Sequence, residues 1–371
     1  MLTLSGQNGG GQILRSSLTL SMITGQPFRL AKIRGARPKP GLARQHLTCV
    51  TAAKDICHGA VDGAELGSTE IIFHPGKVSG GNYEFSIGTA GSTTLLAQTL
   101  LPALWQAENA SHLTLKGGTH NPMAPPMDFI TRVFLPALKT MGVEIDAELH
   151  RYGFFPAGGG EISFRFFGDQ KPKQVELLKR GELLEQRIHC LCAHLLGPIS
   201  EKETSALRKK LDWPENTIFD EHTENADCQG NALAAEVRFE EITERCTVLG
   251  QRGKPSERVA ADVAKMMSIY LESGAVVGRH LADQLLLPMA LAGGGSIITS
   301  APSNHVKTNI EVIQTFLPVR FETEELEKGT VKISVQSDWD DSSTSSFSGD
   351  AVSPPSGSPT SSTGFNDPGS G

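Results

Sequence analysis

His305 is the first residue whose type and position suggest chemistry. It follows the turn Pro302-Ser303-Asn304, and the pattern beyond it predicts a helix. Ser303 or Asn304 is a suitable N-cap for that helix. Because backbone N–H groups and the helix dipole favour anions at an N-terminus, a histidine here is well placed to meet a phosphate. On this pattern alone, a capping or core role is the alternative to a catalytic one.

The elements that must position His305 are an apolar helix and a short strand. The helix is predicted over Gly278–Leu291, and it carries the acid Asp283 and the amide Gln284. The triple glycine Gly293–Gly295 is expected to end it. The strand that follows, Ile297-Ile298-Thr299, is rich in β-branched residues and leads directly to the turn before His305.

These motifs resemble the C-terminal signature of the RNA 3′-terminal phosphate cyclases. Residues 281–291 read Leu-Ala-Asp-Gln-Leu-Leu-Leu-Pro-Met-Ala-Leu, and residues 303–310 read Ser-Asn-His-Val-Lys-Thr-Asn-Ile. The similarity extends from Gly9-Gly10-Gly11-Gln12-Ile13-Leu14-Arg15 to about Val335. It covers nearly the whole folded chain and includes several long runs, so it is far more specific than a lone short motif.

The resemblance implies that His305 is a residue that becomes adenylylated. In the implied route His305 takes AMP from ATP, and the AMP passes to an RNA 3′-terminal phosphate. The adjacent 2′-OH then displaces AMP and forms a 2′,3′-cyclic phosphate. Such a nucleophile needs a neutral imidazole nitrogen in line with the bond that breaks. Mg²⁺ or Mn²⁺ would neutralise the ATP phosphates.

The resemblance also implies an ATP-binding site built from helices and a proline-rich turn. The expected residues are Gln98, Pro126, Phe129, His280, Leu281, Ala282, Asp283 and Gln284. His280 is expected to stack on adenine beside a wall formed by Pro125, Pro126 and Phe129, and Asp283 to bond the ribose or hold a metal. The alternatives are a solvated helix surface and a structural turn that enters a helix.

A basic, proline-stiffened run and a glycine-rich turn are expected to bind phosphates. Guanidinium groups match phosphate oxygens, and glycines allow the backbone to approach them closely. The residues predicted to hold the RNA 3′-phosphate or the ATP phosphates are Arg15, Arg37, Lys39, Arg44, Gln45 and His46, beside Gly9–Gly11. The alternative is an ordinary solvated basic face. The family usually has a glutamate just before the three glycines, whereas this chain has Asn8, so metal use is in doubt, with Asn8 and Asp283 as candidate ligands.

Three units of similar pattern repeat along the chain. Each has an apolar helix, a strand, a second helix and one or two closing strands, and the first helices are predicted at Gln12–Ile23, Ser92–Gln106 and Gly278–Leu291. The first two units are about eighty residues apart. The spacing between the second and third units is about a hundred residues longer, which indicates an inserted domain. The pattern predicts an α/β (α+β) fold. The resemblance implies repeats like the C-terminal domain of translation initiation factor three and a small α+β thioredoxin-like insert.

The predicted domains follow from this pattern and from composition. The catalytic repeat domain is expected at residues 1–181 and 274–336, the insert at residues 182–273, and a disordered tail rich in Ser, Gly and Pro at residues 337–371. The net charge is −7, and the tail has five acids from Asp338 onward and no Lys or Arg, which leaves −7 + 5 = −2 for the body. A nearly neutral body argues against coating of nucleic acid but allows a few arginines to grip one RNA end.

The remaining features of the sequence concern location and rival functions. Six cysteines without a C-x-x-C pair, and the absence of a signal peptide or membrane-length apolar run, favour reduced thiols in a cytoplasmic protein without membrane partners. The oligomeric state stays open, with a homodimer as one option. The rivals are a non-catalytic RNA- or ribosome-assembly relative on the same fold, favoured by Asn8, and an enolpyruvyl transferase of related architecture, which the motif around His305 disfavours.

Overall fold

The first repeat is a four-stranded sheet with two helices. The computed structural model describes residues 1–195 and 197–338. In the first repeat the elements are β1 (Leu2–Ser5), α1 (Gln12–Thr24), β2 (Phe28–Ala31), α2 (Arg44–Ile56), β3 (Ala60–Asp62) and β4 (Ile71–His74). The strand order is β1-β2-β4-β3, with β1 parallel to β2 and the other neighbours antiparallel. Buried side chains on α1, Leu14, Leu18 and Met22 among them, place that helix in the core.

The second repeat has the same strand order, but its second helix is interrupted. Its elements are β5 (Asn82–Ser86), α3 (Thr93–Leu104), β6 (Ser111–Gly117), α4 (Met127–Phe129), α5 (Leu135–Thr140), β7 (Asp146–Arg151) and β8 (Gly160–Phe166), with the order β5-β6-β8-β7. The sequence predicted one helix over residues 126–141, whereas a π-helical segment, Ile130–Phe134, joins α4 to α5. Such segments are often found beside functional sites.

The third repeat is split by a fourth sheet. It begins with the two-residue strand β9 (Glu176–Leu177). The intervening elements are β10 (Leu183–Ala193), α6 (Ile199–Leu211), β11 (Ile218–Thr223), β12 (Gly230–Phe239), β13 (Thr243–Leu249) and α7 (Ser256–Ser273), with the order β11-β10-β12-β13. These elements are called the insert below. Their bounds fit the predicted segment 182–273, although the division into separate domains stays a prediction.

The third repeat resumes with the helix that carries Asp283. Its elements are α8 (Arg279–Leu291), β14 (Gly294–Ser300), α9 (Asn304–Phe316), β15 (Val319–Glu325) and β16 (Thr330–Ser337). With β9 they give the order β15-β16-β14-β9, which is again the arrangement of the other two repeats. Ser337, the first residue of the predicted tail, is the last residue of β16. Residues 339–371 of that tail lie outside the described residues.

The predicted α/β class is confirmed, but the sequence analysis missed one strand at the start of each repeat. β1 and β5 alternate between half-buried and exposed residues, and β9 has only two residues, so none has the apolar run that marks an inner strand. The edge strands β3 and β11 were also missed. The specific likeness to the initiation factor domain and to thioredoxin stays a prediction.

Helices from different repeats pack together in the middle of the molecule. Thr19 Oγ1 of α1 donates to the carbonyl of Thr99 on α3 at 2.7 Å, and the rings of Phe28 and Phe316 lie 5.9 Å apart, edge to face. Residues 1–338 thus form one compact unit. Among the described residues, no helix has both the length and the hydropathy required to cross a membrane. The central packing brings the N-termini of α1 and α9 next to α8.

Candidate functional site

Three side chains from three helices form a hydrogen-bonded chain at His305. Gln12 is the first residue of α1, Asp283 lies on α8, and His305 is the second residue of α9. Gln12 Nε2 donates to Asp283 Oδ1 at 2.9 Å and to Oδ2 at 3.0 Å. Gln12 Oε1 lies 2.6 Å from His305 Nδ1. Residues distant in sequence are therefore joined into one polar site, which we call the Asp283–Gln12–His305 chain.

Two further polar side chains support this chain. Asn309 Nδ2 donates to the backbone carbonyl of Asp283 at 3.1 Å and to its Oδ1 at 3.4 Å, and Ser16 Oγ donates to Asn309 Oδ1 at 2.8 Å. Burial raises the pKa of Asp283, while the hydrogen bond from Gln12 and the nearby positive groups oppose that rise. The carboxylate is thus held by donors from α1 and α9.

A cavity of about 540 Å³ opens beside these side chains. Small-molecule sites usually measure roughly 300–1,000 Å³. The first, second and third repeats and the insert all contribute to its walls. Predicted site residues that line the cavity are Arg15, Gln98, Pro126, Phe129, His280, Asp283, Gln284 and His305. The structure therefore brings the nucleophile candidate and most of the predicted nucleotide-binding side chains to one cavity.

The cavity wall combines apolar surface with polar atoms that have no protein partner. Leu95, Pro102, Pro125 and Leu287 contribute apolar surface. Gln98 Nε2 and Gln284 Oε1 are buried, and within the described part of the chain neither has a hydrogen-bond partner. A buried polar group without a partner costs about 1–3 kcal/mol. Two such groups on one cavity are expected where a ligand supplies the missing partners.

A glycine-rich turn lies at the start of α1, and cationic side chains pack against it. The guanidinium of Arg37 is 3.3 Å from the position a Cβ would take on Gly10, whose φ of +57° suits glycine. At Gly11 the corresponding distances are 2.3 Å to His46 Nε2 and 2.9 Å to an Arg15 guanidinium nitrogen. Burial, followed by the charges of Arg15 and Arg34, lowers the pKa of His46 to about 3. His46 is therefore neutral at physiological pH.

The family comparison covers most of the chain. The family model described as RNA 3'-terminal phosphate cyclase matches residues 6–323. The chain belongs to the RNA 3′-terminal phosphate cyclase family. The matched range includes the glycine-rich turn, every side chain of the cavity wall and the whole insert.

Similarity between this cyclase-family chain and solved structures is much weaker. Two structures of EPSP synthase from Acinetobacter baumannii each share 12% sequence identity, with TM-scores of 0.29 and 0.28. The matches cover 88% and 89% of this chain, and the chain spans 63% of the length of each synthase. At these scores the likeness supports no conclusion about function.

The periodicity of α8 divides the predicted ATP-binding run of the cyclase family between two faces. His280, Asp283 and Gln284 line the cavity, whereas the side chains of Leu281 and Ala282 are fully buried in the hydrophobic core. An α-helix turns by about 100° per residue, so neighbours in sequence cannot all face one ligand. The side chains of Leu281 and Ala282 thus face the core, and the role of these two residues in binding ATP stays a prediction.

Of the six residues predicted to bind phosphates, only Arg15 lines the cavity, and Arg37 and His46 pack against the glycine-rich turn instead. Lys39 and Arg44 are exposed. Gln45 Oε1 accepts a hydrogen bond from the backbone N–H of Ser92 at 3.2 Å, which links α2 to the start of α3. Their role in binding RNA stays a prediction for this cyclase-family chain, and Gln45 already has a structural contact.

Among the residues that the structure describes, the side chains do not form a cluster that would hold a resident metal ion. Asn8 is exposed, and both carboxylate oxygens of Asp283 accept hydrogen bonds from Gln12. Across residues 1–195 and 197–338, no group of three or more His, Cys, Asp or Glu side chains is arranged to hold a metal ion. Metal binding by Asn8 or Asp283 therefore stays a prediction, and Asp283 is already engaged by an amide.

The sequence analysis missed the contribution of the insert to the cavity. Arg245 and Thr247 of β13 line the cavity, and Arg245 is only 4% exposed. Its guanidinium donates to Glu236 at 2.8 Å and contacts His189 Nδ1 at 3.0 Å, and Arg132 donates to the same Glu236 at 2.7 and 2.6 Å. The available signal for this contribution was Arg245, which lies within an otherwise buried stretch of strand. A buried charge must be paired, so such an arginine indicates a polar site.

Proposed function

We propose that this chain converts an RNA 3′-terminal phosphate into a 2′,3′-cyclic phosphate at the expense of ATP, through a covalent histidine–AMP intermediate. The observation that carries the proposal is the position of His305. Its Nδ1 is held by Gln12, and its ring lies on the wall of a cavity of about 540 Å³. Family membership supports the RNA substrate class and a role in RNA processing.

ATP is the nucleotide that we propose for the cavity. Pro126 and Phe129 offer an apolar wall for adenine, and Gln98 and Gln284 offer buried polar atoms that have no partner among the described residues. His280 lies on the same cavity, where desolvation and the charge of Arg279 lower the pKa of its ring. A neutral imidazole suits stacking on a base, although it stacks more weakly than a larger aromatic ring. ATP would enter as its Mg²⁺ or Mn²⁺ complex, with the cation carried on the phosphates.

The proposed chemistry starts with attack of His305 Nε2 on the α-phosphorus of ATP. The new N–P bond replaces the P–O bond to pyrophosphate, which leaves. An oxygen of the RNA 3′-phosphate then attacks the same phosphorus, and the N–P bond breaks to give RNA-(3′)pp(5′)A. The 2′-OH attacks the 3′-phosphorus, loses its proton to solvent and displaces AMP. Because the 2′-OH is on the same ribose, its effective concentration is high.

Arg15 and Arg37 are the cations that we propose for the phosphates. Both guanidinium groups pack against the glycine-rich turn at the entry to α1, and Arg15 also lines the cavity. Fixed guanidinium groups stabilise charge on transferring phosphoryl groups without reorganisation at the moment of reaction. This arrangement assigns phosphate binding to arginines.

The direct test is transfer of label from α-labelled ATP to the protein in the presence of Mg²⁺ or Mn²⁺ and without RNA. Label that is labile to acid and stable to alkali is expected on the wild type, absent from His305→Ala and retained by Asn304→Ala, an exposed neighbour. Addition of RNA with a 3′-phosphate should discharge the label as AMP and leave a cyclic end. A wild type that binds ATP but takes up no label would overturn the proposal.

A second function is favoured by one specific observation. The exposed Asn8 stands where the family usually has an acid, and it suits a relative that binds RNA or assists ribosome assembly without catalysis. Such a protein would bind RNA yet give neither label nor cyclic ends. An enolpyruvyl transferase would bind phosphoenolpyruvate rather than ATP, so binding of the two ligands distinguishes that class.

A further inference from the structure

We propose that Gln12 and Asp283 are positioning residues that hold His305 in the tautomer protonated on Nδ1. The inference rests on the proposed function, because it concerns the nucleophile of that reaction. Its evidence is the Asp283–Gln12–His305 chain, in which each contact is between 2.6 and 3.0 Å. In each contact, only one of the two groups can donate a proton.

The orientation of the Gln12 amide is set by Asp283. An ionised carboxylate can only accept hydrogen bonds, and both its oxygens lie within 3.0 Å of Gln12 Nε2. If the amide were reversed, its carbonyl oxygen would face the carboxylate without a proton between them. The NH₂ group therefore faces Asp283, and the carbonyl oxygen Oε1 faces His305.

The orientation of Gln12 in turn decides the tautomer of His305. Gln12 Oε1 is only an acceptor, so the nitrogen that lies 2.6 Å from it must carry a proton. In a neutral imidazole, a proton on Nδ1 leaves a lone pair on Nε2. The nitrogen outside the chain is therefore the one able to attack phosphorus, and the other tautomer would block it with a proton.

The same chain also stabilises the imidazole after attack. When Nε2 bonds to phosphorus, the ring keeps its Nδ1 proton and gains positive charge, and this charge is linked to the Asp283 carboxylate through the Gln12 amide. Asn309 donates to Asp283, and Ser16 donates to Asn309, so α1, α8 and α9 together fix the carboxylate. A relay through an amide performs the orienting role that a carboxylate performs directly in serine protease triads.

The first experiment reads the tautomer without reference to activity. Protein labelled with ¹⁵N-histidine is examined in long-range ¹H–¹⁵N spectra without ATP, and the His305 signals are identified by their loss in His305→Ala. The wild type is expected to show a protonated Nδ1 and an unprotonated Nε2. In Asp283→Asn the new amide can donate to Gln12, so Gln12 is expected to reverse and His305 to change to the Nε2–H form.

A second variant removes the acceptor of Gln12, and a matched control shows whether such a substitution alters His305 through the fold alone. Gln12→Met keeps the length of the side chain and removes the acceptor, so His305 is expected to lose its single tautomer. Gln106→Met is the matched control, because Gln106 is a half-buried glutamine that donates to the Pro102 carbonyl outside this chain. Its His305 spectrum is expected to equal that of the wild type. An Nε2–H form in the wild type, or spectra unchanged in both chain variants, would overturn the positioning role.

Kinetics then connect the tautomer to the reaction. The rate of label transfer from ATP is expected to fall by about 100-fold or more in Asp283→Asn, as wrong-tautomer variants of other histidine enzymes do. In Gln12→Met the maximal rate should fall while the ATP concentration for half-maximal rate changes little. Normal rates in both variants would overturn the positioning role alone. Absence of label on the wild type would overturn the proposed function, and the positioning role with it, whatever the tautomer.

Discussion

At the scale of single residues, Gly11 is a position in the site with no room for a side chain. A Cβ there would lie 2.3 Å from the Nε2 atom of His46 and 2.9 Å from an Arg15 nitrogen. His46 is 5% exposed and fills its space, so it cannot simply rotate away. The backbone at Gly11 therefore fits closely against the two side chains that border the proposed phosphate site.

Gly11→Ala is expected to displace His46 and Arg15 and to slow label transfer by ten- to a hundredfold, since small misplacements of positioning groups have effects of that order, roughly 10². His46→Ala removes the nearest contact. When Gly11→Ala is introduced into the His46→Ala background, it should reduce the rate of label transfer less than it does in the wild type. Equal losses in both backgrounds, measured by label transfer at saturating ATP, would show that contact with His46 is not the cause.

The sequence predicted the types of the site residues better than their partners. His305, Gln98 and Gln284 were expected in a nucleotide site, and all three line the cavity. No separate role was predicted for Gln12, because its role depends on hydrogen bonds to Asp283 and His305. These residues lie 271 and 293 positions further along the chain. The sequence did not indicate that the side chains of Leu281 and Ala282 face the core, because a contiguous motif hides the two faces of a helix.

At the scale of elements, the N-terminus of α9 sets the position of His305. The Oγ of the N-cap Ser303 accepts a hydrogen bond from the backbone N–H of Val306 at 3.3 Å. This contact agrees with the prediction of Ser303 as an N-cap, and Asn304 is instead the first helical residue. Because His305 lies in the first turn, any fraying of that turn would loosen the proposed nucleophile as well as the helix.

Ser303→Ala is expected to lower the free energy of unfolding by about 1 kcal/mol, which is typical for loss of an N-cap. Ser303→Asp keeps an acceptor and should retain most of that stability. Urea unfolding of the three proteins measures the difference. If the alanine and aspartate variants were equally destabilised, the cap would not be the source of the effect.

Another element with a restricted terminus is α8, whose N-cap Gly278 lies against a buried acid. A Cβ on Gly278 would lie 2.1 Å from a carboxylate oxygen of Glu244, a residue of β13 that is 3% exposed. Burial raises the pKa of Glu244 to about 8, while the charge of Arg180 and the backbone N–H of Gly278 oppose the rise. The insert thus presents a protonated acid to the helix that carries Asp283.

Stability is expected to fall as the pH rises through the range in which Glu244 titrates. The unfolded chain releases this proton near pH 4.5, whereas the folded chain keeps it to about pH 8. Between these values the folded state binds more protons, so rising pH destabilises it, by on the order of 5 kcal/mol in total.

The measurement compares free energies of unfolding at pH 5 and pH 8.5 for the wild type and Glu244→Gln. The variant cannot titrate at this position, so its stability should change less between the two pH values. Glu272→Gln, at an exposed position on α7, is the control and should follow the wild type. The same pH dependence in Glu244→Gln and the wild type would contradict the assignment.

At the scale of the whole molecule, the charge is small and the cations of the proposed site are few. The net charge is −7, of which five negative charges lie from Asp338 onward and leave −2 for the rest. Arg15 and Arg37 are the arginines proposed for the phosphates, and Arg44 is a third candidate predicted from the sequence. Binding to RNA should therefore depend on a local grip on one end rather than on a broad positive surface.

RNA affinity is expected to depend only modestly on salt. For a single strand the slope of log K against log salt concentration is about −0.7 for each phosphate neutralised, so three contacts give roughly −2. Fluorescence anisotropy with a short 3′-phosphorylated RNA measures this slope. The salt concentration is varied between about 50 and 200 mM, a range over which such slopes are usually resolved. Arg37→Ala should make the slope shallower by about 0.7. A slope near −6 would indicate an extended RNA surface instead.

The overall architecture could be predicted from the sequence because it repeats. Helices and inner strands recurred with similar apolar patterns, and the first helices of the repeats lie close to their predicted bounds. The opening strands β1, β5 and β9 could not be predicted in this way, since they are short edge elements that depend on pairing with β2, β6 and β14. Pairing partners distant in sequence leave no local pattern.

The buried arginine of the insert has a consequence for how the molecule should respond to its ligand. Arg245 lines the cavity and shares Glu236 with Arg132, which belongs to the π-helical segment of the second repeat. Occupation of the cavity by ATP would therefore tighten a strand of the insert and a helical segment of the second repeat at the same time. Amide hydrogen exchange in Thr243–Leu249 and Ile130–Phe134 should slow together when ATP is added, and Glu236→Gln should separate the two responses.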